Sequence, residues 1–255
     1  MKTLYLSAAA LLFSAGIAHA QDEAEETPPW VVSAELGAIN TTGNTETTSV
    51  NGKLDITQNL THWKNQYIAS VLYKEDMVEN DDGSEDKETT AEKYFVSAKS
   101  AYLLSGEHGN LFVFGSHTHD EFGAYRKYTT LSAGYGNRLI DRKKLTLDAE
   151  IGPGYFWGDK VEDEENDIIV KEEGFMVRGA AELKWLITSN ATFNQKFGVE
   201  AADDNTRYQS DTSLSTKISD RMQMKVGYAV SHDTDVADDK ENTDTTTYIN
   251  LVYNF

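Results

Sequence analysis

Histidines are the residues of this 255-residue sequence that could most readily move a proton or hold a metal ion. The run 117–120 reads His-Thr-His-Asp, so an extended strand would place the imidazoles of His117 and His119 on one face. His232 also precedes an aspartate. Such a cluster could bind a divalent metal or act as a general base, but a metal site usually needs three or more converging ligands. We therefore expect solvated histidines, and we predict no catalytic residue, no cofactor and no enzymatic activity.

Carboxylates form the second group with chemical potential. Acidic runs at 79–86, 162–167 and 235–244 contain the oxygen ligands that calcium and magnesium prefer. None of these runs has the spacing of an EF-hand loop, and charge runs of this kind are usually solvated loops. The weak candidates for a metal site are Asp81, Asp82, Asp86, His117 and His119.

The elements that carry these residues show a period of two, which is the pattern of strands with one apolar and one polar face. In the clearest segment Phe175, Val177 and Trp185 share one face, and charged side chains share the other. The segment is too long for an average strand of a soluble sheet. Twelve such strands are predicted, at residues 30–40, 47–59, 65–75, 91–104, 111–118, 126–140, 145–158, 174–188, 191–202, 206–218, 221–232 and 245–255.

The connections between these strands alternate in length. Short turns are predicted at 106–109, 141–144, 188–190 and 219–220, and longer acidic loops at 76–90, 158–173 and 233–244. Short turns at one rim, long loops at the other and an even strand number are typical of bacterial outer membrane barrels. We therefore predict an all-β fold, a transmembrane antiparallel up-and-down β-barrel of about twelve strands. A soluble β-sandwich is the alternative.

The polar face of each strand would then point into the barrel. The candidates for lining the lumen are Asp148, Glu150, Arg178, Glu182, Lys184, Lys196, Glu200, Arg207 and Asp211. A barrel of this size is too wide to be filled by apolar side chains alone. These charges could pair across the lumen and plug it, or they could line a narrow aqueous path. Because both signs are present, no ion selectivity is predicted.

The amino terminus predicts export. Lys2 is followed by an apolar stretch from Leu4 to Ala18 and by an Ala-His-Ala cleavage pattern ending at Ala20, which together indicate a signal peptide. We expect a signal peptide at 1–20, a flexible acidic leader at 21–29 and the barrel at 30–255, located in the outer membrane of a Gram-negative cell.

Composition and the carboxyl terminus indicate partners. A formal net charge of −19 argues against nucleic acid, and the absence of cysteine excludes disulfides and thiolate metal sites. The expected partners are outer membrane lipids and lipopolysaccharide, divalent cations at the acidic loops, and the barrel assembly machinery. The last would read the terminal strand that ends at Phe255.

Two motifs carry a resemblance to a known family. The first is Glu-Leu-Gly at 35–37 followed by Thr-Thr-Gly-Asn-Thr-Glu at 41–46; the second is Gly-Tyr-Gly-Asn-Arg-Leu-Ile at 134–140 followed by Gly-Pro-Gly-Tyr at 152–155. With these motifs the chain resembles the salt-induced outer membrane proteins, a family built on a domain of unknown function. The resemblance implies an outer membrane barrel connected with salt stress, without a known reaction, ligand or functional residue.

Three functions follow as hypotheses. The first is a barrel, with a narrow pore or a purely structural role, that adjusts envelope permeability or integrity under salt or osmotic stress. The second is a barrel that binds cations or a partner through its acidic loops. The third and least favoured is an outer membrane hydrolase, because the motifs of the twelve-stranded membrane phospholipases and of the omptin-like proteases are not visible.

Overall fold

The structure is a computed structural model that describes residues 28–41, 47–79, 85–105, 108–163, 168–237 and 240–255. Each strand pairs antiparallel with its neighbours in sequence, and β1 pairs with β12, so the sheet closes into a barrel. The predicted fold is confirmed, and the soluble sandwich is wrong. The strands are β1 (Trp30–Thr41), β2 (Thr47–Asn59), β3 (Trp63–Glu79), β4 (Glu85–Leu103), β5 (Gly109–Asp120), β6 (Tyr125–Arg142), β7 (Leu145–Asp163), β8 (Ile168–Leu186), β9 (Ala191–Ala202), β10 (Thr206–Lys217), β11 (Met222–Asp233) and β12 (Thr243–Asn254).

The outward face of the sheet is apolar at mid-height. Phe175 is 82% exposed, and Ile151 and Val177 are also exposed, although a water-soluble fold would bury such side chains. Exposed aromatic rings lie near both ends of the strands, with Trp63 near the short turns and Trp157 near the long connections. An apolar belt between two aromatic girdles is the surface of a barrel that sits in lipid. Among the described residues, no helix is long and apolar enough to cross a membrane.

Two of the predicted acidic loops are instead mostly strand. β3 and β4 continue to Glu79 and from Glu85, and β7 and β8 continue to Asp163 and from Ile168, so both hairpins extend beyond the belt. The apolar alternation stops at the edge of the belt, whereas the backbone ladder continues, and this is why the sequence pattern placed the strand ends too early. The described part of 233–244 forms a strand only at its two ends.

Polar pairs support the extended β3–β4 hairpin. Asp76, outside the belt, accepts hydrogen bonds from Thr47 Oγ1 at 2.8 Å, Lys74 Nζ at 2.5 Å and Thr90 Oγ1 at 2.7 Å. Burial alone would raise the pKa of the Asp76 carboxyl, but these bonds outweigh it and lower the pKa. The carboxylate therefore acts as an acceptor that links neighbouring strands above the belt.

Two glycines of the second motif, Gly134 on β6 and Gly152 on β7, allow these strands to approach each other closely. A Cβ on Gly134 would lie 2.2 Å from the carbonyl oxygen of Ile151, and one on Gly152 would lie 2.1 Å from that of Ala133. Only glycine leaves the two backbones room at these positions. The Gly-Asn pair of the first motif, at 43–44, lies outside the described residues, as do the predicted signal peptide and nearly all of the acidic leader.

Candidate functional site

The lumen is crossed at mid-height by a group of three charged side chains. Lys99 on β4 pairs with Glu150 on β7 although β5 and β6 lie between these strands, so the contact spans the interior of the barrel. Arg178 on β8 donates from Nη1 to Glu150 Oε1 at 2.5 Å. Its guanidinium also lies 4.0 Å from the centroid of the Phe114 ring on β5. The site thus joins four strands by charge pairing and ring stacking.

The half of the lumen next to the long connections, here called the loop half, is filled except for a cavity of about 60 Å³. Five buried side chains form a cluster there, which we call the plug cluster: Ala124, Tyr125, Tyr128, Phe156 and Met176. Arg207 Cζ on β10 lies 4.2 Å from the Tyr128 ring centroid on β6, again across the interior. Arg207 also makes two hydrogen bonds to Asp233, at 3.0 and 3.2 Å. The side chains of this ion pair are only 10% and 8% exposed.

The opposite half, next to the short turns and here called the short-turn half, is hollow. A cavity of about 390 Å³ lies there, lined by residues of β3 to β8 that include Lys64, Asp148 and Glu182. Arg138 binds Asp148 through two hydrogen bonds at 2.8 and 3.1 Å. The side chains of Asp148 and Glu182 are 47% and 46% exposed, so water reaches the charges of this half.

The remaining predicted lining residues lie as follows. Lys196 Nζ is 3.5 Å from Glu182 Oε1, and Glu200 Oε1 is 3.8 Å from Arg178 Nε. Asp211 on β10 accepts a 2.7 Å hydrogen bond from the Tyr248 hydroxyl on β12, over the intervening strand. Lys184 is exposed near the short turns, opposite Thr146 and Asn194 in the ladder, and is not part of the central group.

An ion pair that the sequence pattern did not predict joins β11 and β1 in the interior. Lys225 Nζ on β11 lies 3.1 Å from both carboxylate oxygens of Glu35 on β1, and Asn250 Nδ2 donates to the same carboxylate at 3.2 Å. The sequence contained a signal for the inward position of Lys225, because this residue alternates with Met224 and Val226. Both of these apolar residues are exposed on the outward face.

The apolar part of the interior was not predicted either, because the inward faces of the strands were expected to be polar. Phe112 on β5 is 2% exposed and points inward, whereas its neighbours Leu111 and Val113 are 52% and 53% exposed. A strand that is apolar on both faces indicates burial on both sides. Its sequence therefore contained a signal for a packed region inside the barrel.

Those of the predicted histidine and carboxylate candidates that the structure describes do not converge on a metal site. His117 Nδ1 lies 2.8 Å from Thr129 Oγ1, and His119 Nε2 lies 3.5 Å from Glu121 Oε2, with the His119 ring against Tyr94. Tyr94 is exposed, so these rings belong to the outward face. Asp86 lies on β4, and Asp81 and Asp82 lie outside the described residues. Within the described ranges, no three His, Cys, Asp or Glu residues could hold a metal ion together.

Similarity to known proteins extends over most of the chain. The chain is 27% identical over 233 residues to the uncharacterized protein YdiY of Escherichia coli (strain K12), covering 91% of this chain and 86% of the relative. Among solved structures, the NanC porin superposes with a TM-score of 0.50 at 11% identity, covering 88% of this chain and 98% of that one. The KdgM porin has a TM-score of 0.45 at 8% identity, with 89% and 99% coverage. At this identity, the likeness to the NanC porin supports the barrel fold alone.

The family resemblance drawn from the two motifs is tested by a family model. The model for the protein of unknown function DUF481 matches residues 34–255, from the first strand of the barrel to the last residue. This match confirms a domain of unknown function as the basis of the resemblance. Because the match covers most of the chain, the chain belongs to the DUF481 family.

Proposed function

We propose that this protein is an outer membrane barrel whose lumen gives water and small ions a narrow polar path, and that it thereby adjusts envelope permeability or integrity under salt or osmotic stress. Its partners in this role are outer membrane lipid and lipopolysaccharide around the apolar belt. The barrel assembly machinery, which would read the terminal strand ending at Phe255, acts on it before that.

The hollow short-turn half carries this proposal. Its charged side chains point into the barrel and yet are 34% to 47% exposed, so they face water and not a packed core. If tight ion pairs plugged this half of the lumen, no cavity of about 390 Å³ would remain there. The cavity reaches Lys99 and Glu150 of the central charged group, where charges of both signs meet. A path of this kind passes small hydrated ions slowly and excludes large solutes.

Recording from the purified full-length chain in planar lipid bilayers tests the pore. We expect small conductance steps, and we expect Glu150→Gln to change their size because it removes the shared partner of Lys99 and Arg178. Gln58→Glu lies on the outward face of β2, opposite the exposed Trp30, and serves as a charge-changing control outside the lumen. Absence of steps from wild-type and variant protein would overturn the pore. Growth of a deletion strain at high salt tests the stress role separately.

The two alternatives are less well supported. Cation binding by the acidic hairpins would require converging carboxylates, and calorimetric titration with calcium before and after neutralising Asp81, Asp82 and Asp86 tests it. A hydrolase would require a nucleophile beside a histidine that a third group orients. Thr129 Oγ1 lies 2.8 Å from His117 Nδ1 on the outward face, but among the described residues no carboxylate is paired with His117. We therefore place both below the narrow pore.

A further inference from the structure

We propose that residues 234–237, here called the strap, form a gate over the loop half of the lumen. This inference rests on the proposed pore and assigns its regulation. In the closed state described by the structure, the strap covers the plug cluster. Its release exposes the plug cluster to the outside and connects the interior with the loop end.

The strap crosses the mouth of the barrel. It follows β11, yet Asp235 pairs with Lys160 on β7, and the strands β8, β9 and β10 separate these two in the closed sheet. Lys160 Nζ also lies 3.4 Å from Glu172 Oε1 on β8. Further along the same connection, Lys240 Nζ donates to the carbonyl oxygen of Phe122 at 3.1 Å, beyond the end of β5. Two lysines thus tie this connection to the far wall.

One buried amide holds the start of the strap. Asn205, in the turn between β9 and β10, accepts hydrogen bonds at Oδ1 from the backbone N–H groups of Thr234 and Asp235, at 2.9 and 3.1 Å. Its Nδ2 donates to Asp233 Oδ1 at 2.9 Å. Asp233 is also the partner of Arg207 in the loop half. The position of the strap is therefore coupled to the ion pair that closes the interior.

Packing beneath the strap is tight, but the strap itself is lightly held. Val236 packs against the plug cluster, and Tyr125 within that cluster is 1% exposed. In contrast, the Asp235 carboxylate is 41% exposed. Ala237 is also buried, and Thr234 exchanges hydrogen bonds with the backbone of Thr206 at the start of β10. A four-residue connection that is held by a few contacts of this kind, one of them a partly solvated ion pair, belongs to the low-stability end of a fold. Such a segment can open without unfolding the barrel.

Cysteine labelling tests the gate, because the chain has no cysteine of its own. Met176→Cys places a thiol in the plug cluster, where Met176 is 3% exposed. The full-length protein is reconstituted into lipid vesicles and treated with a charged thiol reagent that cannot cross the bilayer. We expect Asn205→Ala or Asp235→Ala to increase the labelling rate of Cys at 176 about tenfold, by raising the population of the open state. Asp204→Ala, an exposed neighbour of Asn205, is the matched control.

The outcomes separate the gate from the pore. Labelling that stays at the rate of the Asp204→Ala control in both strap variants would overturn the gate, whether or not the wild type conducts. Faster labelling with no conductance from any variant would support the gate and contradict the pore. Lys160→Gln loosens the strap from the opposite wall and should also speed labelling. Heat-modifiable migration on gels confirms that each variant keeps its barrel.

Discussion

Two ion pairs of the same chemistry lie in the two halves of the lumen. Arg207 and Asp233 in the loop half are 10% and 8% exposed, whereas Arg138 and Asp148 in the short-turn half are 34% and 47% exposed. Both pairs have two hydrogen bonds of nearly equal length. What differs is the surroundings, which are aromatic rings in the first case and a water-accessible cavity in the second. One alternating strand pattern therefore builds a packed core in one half of the barrel and a water-accessible cavity in the other.

The largest difference should appear when each arginine is removed. Arg207→Ala leaves the Asp233 carboxylate buried without its cation, and we expect it to lower the free energy of unfolding by about 3–5 kcal/mol. Arg138→Ala removes a solvated pair, and we expect a loss of about 0–1 kcal/mol. Urea unfolding in lipid vesicles, followed by the emission of the four tryptophans, measures both.

A double variant distinguishes the cost of a buried, unpaired charge from the loss of the ion-pair contacts themselves. If the loss in Arg207→Ala comes from the uncompensated charge, then adding Asp233→Asn should recover part of it. Equal losses in the two single variants would show that the two halves are equally packed, and the division of the lumen would be wrong.

The sequence predicted the part of this molecule that depends on local alternation. Arg178 and Glu182 alternate with Val177 and Leu183, so their face and their strand followed from the residues alone. Which charges meet could not be predicted, because Lys99 and Glu150 are 51 positions apart and are brought together only by the curvature of the closed sheet. The same holds for the strap, since no local pattern indicates that Asp235 reaches Lys160.

The second difference concerns apolar side chains that point inward. Met176 in the plug cluster is 3% exposed, whereas Leu103 at the end of β4 is 38% exposed beside the cavity. Met176→Ala creates a void in a packed region, and we expect it to cost about 2–5 kcal/mol of unfolding free energy. Leu103→Ala removes little buried area, so we expect less than about 1 kcal/mol.

The same unfolding assay checks this pair. A large loss in Leu103→Ala would mean that the short-turn half is packed in the membrane and that its cavity closes there. A small loss in Met176→Ala would mean that the plug cluster adapts, and the loop half would then not be a core.

The smallest expected effect on stability is that of a charge in the hollow half. Glu182 lies 3.5 Å from Lys196, and their side chains are 46% and 34% exposed. Because water replaces the lost contact, we expect Glu182→Gln to change the unfolding free energy by less than about 0.5 kcal/mol. In bilayers, however, it should shift the reversal potential towards anions, since one negative charge leaves the wall of the path. A stable variant with altered selectivity would support a position of Glu182 on the conducting path. An unstable variant with unaltered selectivity would show that Glu182 stabilises the barrel and that the ions pass along the opposite wall.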